Sequence, residues 1–327
     1  IITMSSNHWL LAWIGLELNT LSILPMIIKT HHPRAAEATT KYFLIQATAA
    51  TMILLASITN TWQTGQWSIA HMTPTPTLLT TTAIMLKLGA APMHLWYPQA
   101  LQGMTMNTAL IVSTWQKIAP LTLLYMTHHS LNHTTLLTMG LTSALVGGWA
   151  GLNQTQTRMI MAFSSIAHMG WLLTAIALSP SLTTLTMIMY LLTTIATFMP
   201  TATITKTITD IGTTWPTSPP MLTATMITLM SLGGLPPLTG FMPKWLVLKE
   251  LSSTGLTTLA TLILLASLPS LFFYIRLAYL TMLTTPPTTT NTEHKWRFKP
   301  TLPQYMAPTI MAATLMLPLT ATLYTTT

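Results

Sequence analysis

Lys87-Leu88-Gly89-Ala90-Ala91-Pro92 and Leu232-Gly233-Gly234-Leu235-Pro236-Pro237, the second followed by Gly240, Pro243 and Lys244, interrupt two otherwise apolar stretches of the chain. Both contain Leu-Gly-x-x-Pro, and each carries a lysine beside it. Proline removes an amide donor and clashes with the preceding turn, while glycine tolerates the unwound backbone. In hydrocarbon such a break survives only where it is buried in protein or lines a cavity. The two breaks fall five segments apart on the reading below. An odd spacing gives them opposite orientation, as inverted repeats require.

Working outward from the breaks, ten spanning segments are expected, at about 7–28, 40–59, 77–96, 105–127, 131–151, 157–178, 182–205, 221–251, 256–283 and 304–325. Breakers separate them: His31-His32-Pro33, Thr73-Pro74-Thr75-Pro76, Ser179-Pro180, Pro216 through Pro220, and Pro286-Pro287. Only 6% of the 327 residues are charged, against about 25% in soluble domains. A surface that poor in charge suits lipid and not water. The fold class expected is an all-α integral membrane protein. Residues 1–327 read as a single multi-pass domain. No basic leader precedes the first apolar run, and Ile1 to Met4 reads as the tail of a truncated N-terminal helix.

The net charge is +8. Its basic residues gather at alternate segment ends: Lys29, Arg34, Lys41, Arg158, Lys206, Arg276, Lys295, Arg297 and Lys299 on one side, Lys249 alone on the other. That asymmetry follows the positive-inside rule. It also argues against nucleic acid as a partner, because no basic cluster with interleaved aromatics is present. With no cysteine in the chain, disulfides and thiolate-held metals or iron–sulfur clusters are excluded.

A few ionisable groups lie deep inside the segments: Glu17, Lys87, Lys117 and Lys244, with His94 and His168 beside them. A charge at the centre of a lipid-facing helix costs about 2.5–3.5 kcal/mol, so four would cost on the order of 10 kcal/mol. They must instead face one another, water or protein. Helix–helix glue is the plain explanation for any one of them. One carboxylate with three lysines in separate segments points to a chain of proton-exchanging sites. Burial disfavours an ammonium and a neighbouring carboxylate favours it, so moving the partner loads or releases a proton.

Five runs carry a family resemblance: Gly15-Leu16-Glu17-Leu18-Asn19, Trp115-Gln116-Lys117-Ile118-Ala119-Pro120, Gly151-Leu152-Asn153-Gln154-Thr155-Gln156, Ser164-Ser165-Ile166-Ala167-His168-Met169-Gly170-Trp171, and Leu232 through Lys244. With them nearly the whole chain resembles the subunit 2 family of mitochondrial NADH dehydrogenase, in its short animal form. The resemblance implies an antiporter-like bundle in the mitochondrial inner membrane, its two discontinuous helices being the third and eighth segments. It implies that Glu17 is an ion-pair carboxylate with Lys87 its partner, Lys117 a central relay, and Lys244 a lysine near the exit. His94 and His168 would support the relay; Gly89, Pro92, Gly233, Gly234, Pro236 and Pro237 would form the breaks. Gln99 stands in a linker where the family leads one to expect glutamate.

The resemblance further implies that FMN, iron–sulfur clusters and ubiquinone belong to partner subunits. This chain has no glycine-rich dinucleotide motif, and no cofactor or metal site is expected in it. The expected partners are other membrane-arm and accessory subunits and inner-membrane lipids such as cardiolipin, the latter at Lys295–Arg297–Lys299. The competing reading is a stand-alone cation/proton antiporter, which would need a site richer in carboxylates than Glu17 alone. A haem carrier using His94 and His168, and a purely structural spacer, are further rivals.

Overall fold

Backbone groups cut off from water must bond within their own segment, and the described residues meet this by folding almost wholly as helices. The structure, a computed structural model, describes residues 1–204, 207–212, 219–283, 305–319 and 322–324. Lys206, Pro216, Pro286-Pro287 and the Lys295–Arg297–Lys299 cluster lie outside the described residues.

The helices are α1 (Trp9–Ile28), α2 (Pro33–Thr64), α3 (Pro74–Leu88), α4 (Trp96–Gly103), α5 (Met106–Ser113), α6 (Trp115–Met126), α7 (His133–Gly151), α8 (Thr157–Leu178), α9 (Pro180–Ile204), α10 (Ile208–Gly212), α11 (Pro219–Gly233), α12 (Phe241–Ser253), α13 (Thr257–Leu283) and α14 (Met306–Leu315). Proline opens α2, α3, α9 and α11, at the position where its missing N–H costs nothing. His8 and His32 cap α1 and α2 by accepting from the amides of Leu10 and Arg34.

Among the described residues five helices have the length and hydropathy to cross a membrane: Trp9–Ile28, Pro33–Thr64, Thr157–Leu178, Pro180–Ala202 and Thr257–Leu280. α8 is the hub. Its span is 89% buried, and it packs on α4, α7, α9, α12 and α13. Its closest neighbour is α7, where a Cβ on Gly147 would come within 2.5 Å of the Ala167 amide nitrogen. Small residues let membrane helices approach in this way. On the basic side, side chains fasten the loops: Arg158 donates to the carbonyls of Gln102 and Met104, and Arg276 to the carbonyl of Leu152.

Four expectations need correction. The fourth segment is not one helix but α5 and α6, parted at Thr114 (φ −111°, ψ −71°). At the break the Ser113 and Thr114 hydroxyls both donate to the Leu110 carbonyl, and the Lys117 amide turns to the Thr114 carbonyl at 3.3 Å. Among the described residues of the tenth segment, α14 runs for ten residues before a 3₁₀ turn at Leu317–Leu319, where Pro318 disfavours helix in the residue before it, and 322–324 are helical again. The second segment is longer than expected, at 32 residues. Gln99 lies within α4 and not in a linker.

Candidate functional site

The two breaks are built alike. At each, a glycine takes a left-handed conformation: Gly89 at φ 68° and Gly234 at φ 79°, a region that side chains with a Cβ disfavour. A cis peptide precedes Pro92 in the first and Pro237 in the second. A helix that stops inside a bundle leaves carbonyls without partners, and neighbouring side chains take them up. Trp96 Nε1 donates to the Leu86 carbonyl at 3.1 Å and Gln46 Nε2 to the Lys87 carbonyl at 3.3 Å. At the second break Lys244 Nζ donates to the Gly233 carbonyl at 2.7 Å. Lys244 also lies over the Trp171 ring, 5.9 Å from its centroid.

A cavity of about 10 Å³ opens beside the first break, lined by Asn19, Gln46, Lys87, Tyr97, Gln116 and Lys117 among others. That is on the order of a single water. A second cavity, of about 30 Å³, lies at the second break, with His168, Tyr190, Ser231, Gly240 and Lys244 in its wall. Lys117 is 3% exposed and joins the two. It lines the first cavity while its Nζ donates at 3.2 Å to Tyr190 Oη, whose ring lines the second. The Lys117 ammonium also sits 4.8 Å from the Tyr97 ring centroid and 5.3 Å from that of Tyr190. Such contacts stabilise a cation that has left water.

Glu17 and Lys87, expected as a coupled pair, stand more than 4.0 Å apart; among the described residues the ion pair that forms is Lys41–Glu37 at 2.6 Å. Glu17 Oε2 and Lys87 Nζ are instead both buried without a hydrogen-bond partner. Leu16 and Asn19, beside Glu17 on α1, line the first cavity. Buried polar groups of this kind are costly without hydrogen-bond partners.

His168 faces the second cavity; its Nε2 lies 3.5 Å from Tyr274 Oη and its ring 5.8 Å from that of Tyr190. His94 lies elsewhere. It is half-buried at the first break, with Nδ1 3.3 Å from the Pro92 carbonyl, and lines neither cavity. The structure therefore brings Lys87 and Lys117 to one cavity and His168 and Lys244 to the other. Reasoning from sequence passed over Tyr190, Tyr97 and Gln46, because a tyrosine or glutamine in an apolar segment carries no formal charge to mark it. Among the described residues no group of three or more His, Asp or Glu could hold a metal ion.

A helical membrane bundle with unwound breaks and lysines facing small internal cavities defines a class, the antiporter-like membrane modules. The family model for the NADH:quinone oxidoreductase/Mrp antiporter transmembrane region matches residues 6–270, and that for the NADH dehydrogenase subunit 2 C-terminus matches 271–324. NADH-ubiquinone oxidoreductase chain 2 of Gallus gallus is 51% identical, with 99% of this chain and 94% of the relative covered. That of Struthio camelus is 53% identical over 90% of this chain and 86% of the relative. A chain of respiratory complex I from Thermus thermophilus with bound aureothin superposes with a TM-score of 0.85 at 25% identity, covering 99% of this chain and 74% of that one. The Mrp complex from Dietzia sp. DQ12-45-1b shares the fold, with a TM-score of 0.79 at 18% identity over 84% of this chain and 57% of that one. The chain belongs to the NADH-ubiquinone oxidoreductase chain 2 family. It is a multi-pass mitochondrial membrane protein, the antiporter-like, proton-translocating module that this family contributes to the membrane arm of complex I.

Proposed function

We propose that protons cross this subunit along a relay of Glu17, Lys87, Lys117, His168 and Lys244, with His94 supporting it from the first break. The observation that carries this reading is the position of Lys117, buried at the wall between two cavities and reaching from one toward the other. A proton arriving in the first cavity has Lys87 and Lys117 as acceptors; one leaving Lys117 has His168 and Lys244 ahead of it. The unpaired Glu17 carboxylate supplies the compensating charge whose approach or withdrawal changes the lysines' hold on their protons.

On this reading the chain forms one domain over 1–327, with its spans related as inverted repeats about the two breaks. The matching left-handed glycines at the two breaks, Gly89 and Gly234, support the repeat. Redox groups (FMN, iron–sulfur clusters and ubiquinone) sit in partner subunits. The partners are the other membrane-arm and accessory subunits, together with anionic inner-membrane lipid such as cardiolipin.

The test is a pair of substitutions at Lys117 in the assembled complex. Lys117→Met keeps the apolar stem and removes the titratable group. Lys117→Arg keeps the charge but cannot release it. Both should slow transfer through this subunit by about 100-fold or more, lowering the proton-to-electron ratio while assembly is retained. A Lys117→Arg complex with the wild-type ratio would show that fixed charge suffices.

A further inference from the structure

Tyr190 is 4% exposed; it lines the second cavity and its hydroxyl meets Lys117. A phenol oxygen has one proton to give and lone pairs to accept with. Here it accepts from Lys117 Nζ at 3.2 Å and donates to the Ser113 carbonyl at 2.7 Å. That carbonyl is available because of the interruption at Thr114. The regular helical partner of Ser113 O would be the Lys117 amide, but that amide turns to the Thr114 carbonyl at 3.3 Å. One local distortion thus aims the Lys117 side chain at Tyr190 and supplies the acceptor that holds the Tyr190 proton.

In this arrangement the single hydroxyl proton is held by the Ser113 carbonyl, with the Ser165 side chain also in hydrogen-bonding reach of the phenol. A proton on Lys117 then has an acceptor, the phenol oxygen, whose own proton is engaged on the backbone. Rotation about the phenol C–O bond would turn the O–H toward the second cavity and the groups that line it, His168 and Lys244.

We propose that the Tyr190 hydroxyl is a two-position gate between the cavities: latched on the Ser113 carbonyl it separates them, and turned into the second cavity it passes the Lys117 proton on. This rests on the relay reading above and names its switching group. In the transfer step an N–H bond of the Lys117 ammonium breaks as a new O–H bond forms on Tyr190. The original Tyr190 O–H breaks as its proton joins water in the second cavity. Lys117 is left neutral, the phenol is unchanged, and one proton has crossed.

Tyr190→Phe removes the oxygen and keeps the ring that packs beside His168. In the assembled complex, reconstituted in vesicles, it should lose the share of the proton-to-electron ratio that this subunit contributes. Ubiquinone reduction by NADH in the presence of an uncoupler should continue. The ratio is a per-complex quantity, so a low yield of assembled variant does not obscure it. Tyr190→His restores a ring with one donor and one acceptor, and it should recover part of the loss. A wild-type ratio in Tyr190→Phe overturns the gate, as does a Tyr190→His variant no better than Tyr190→Phe, which would assign the loss to packing. Lys117→Met, measured in parallel, separates the two ideas. If it impairs pumping and Tyr190→Phe does not, the gate alone is wrong; if Lys117→Met pumps normally, the relay itself is wrong.

Discussion

Lys244 Nζ donates to the buried Gly233 carbonyl at 2.7 Å, whereas Lys87 Nζ has no hydrogen-bond partner and Gln46 holds the carbonyl of Lys87. The two lysines therefore differ in structural duty although each stands beside a break. Lys244→Met leaves a buried carbonyl unsatisfied, at a cost of about 1–3 kcal/mol. Lys87→Met leaves none. The assembled complex carrying Lys244→Met should melt at a lower temperature than the one carrying Lys87→Met, while both pump less. Equal melting temperatures would show that the Gly233 contact contributes nothing. At this scale the charged members of the site were legible in the sequence, because a lysine in an apolar run is costly unless it has a use. Tyr190 was not, since its setting, Met187-Ile188-Met189-Tyr190-Leu191-Leu192, reads as ordinary membrane helix.

The chain re-entering after the second break passes so close to the end of α11 that a Cβ on Gly240 would lie 1.7 Å from the Ser231 carbonyl oxygen. The obstacle is backbone and cannot swing aside. Gly240→Ala must push α12, and Lys244 with it, away from α11. The cost should reach or exceed the about 1–3 kcal/mol typical of overpacking, and native gel electrophoresis should show less assembled complex. Normal assembly of Gly240→Ala would mean that this crossing is looser than described. The breaks at Gly89 and Gly234 could be foreseen, because glycine and proline announce them. α8 could be foreseen too, its 157–178 bounded by the polar run Asn153-Gln154-Thr155-Gln156 and by Pro180. The interruption at Thr114 could not, because no glycine or proline stands at it. The end of α14 was hidden by apolar residues on both sides of Pro318.

Large apolar side chains cover much of the outer surface: Trp62 is 89% exposed, Trp149 74% and Leu95 70%. Within the membrane arm such faces meet lipid or neighbouring subunits. Purified alone in detergent without partners or added lipid, the chain should not run as a monodisperse species in size-exclusion chromatography. Anionic phospholipid should sharpen the peak, because Arg34, Arg158 and Arg276 share the basic side. A single sharp peak without lipid would contradict this. The internal cavities carry the opposite lesson. At about 10 and 30 Å³ they admit about one or two waters. A sodium or potassium ion would have to shed nearly its whole hydration shell to enter, and the second chamber offers it no carboxylate, with Lys244 and His168 in its wall. A proton needs no volume of its own, only an unbroken line of lone pairs. Lack of room would then favour the proton over a hydrated metal cation.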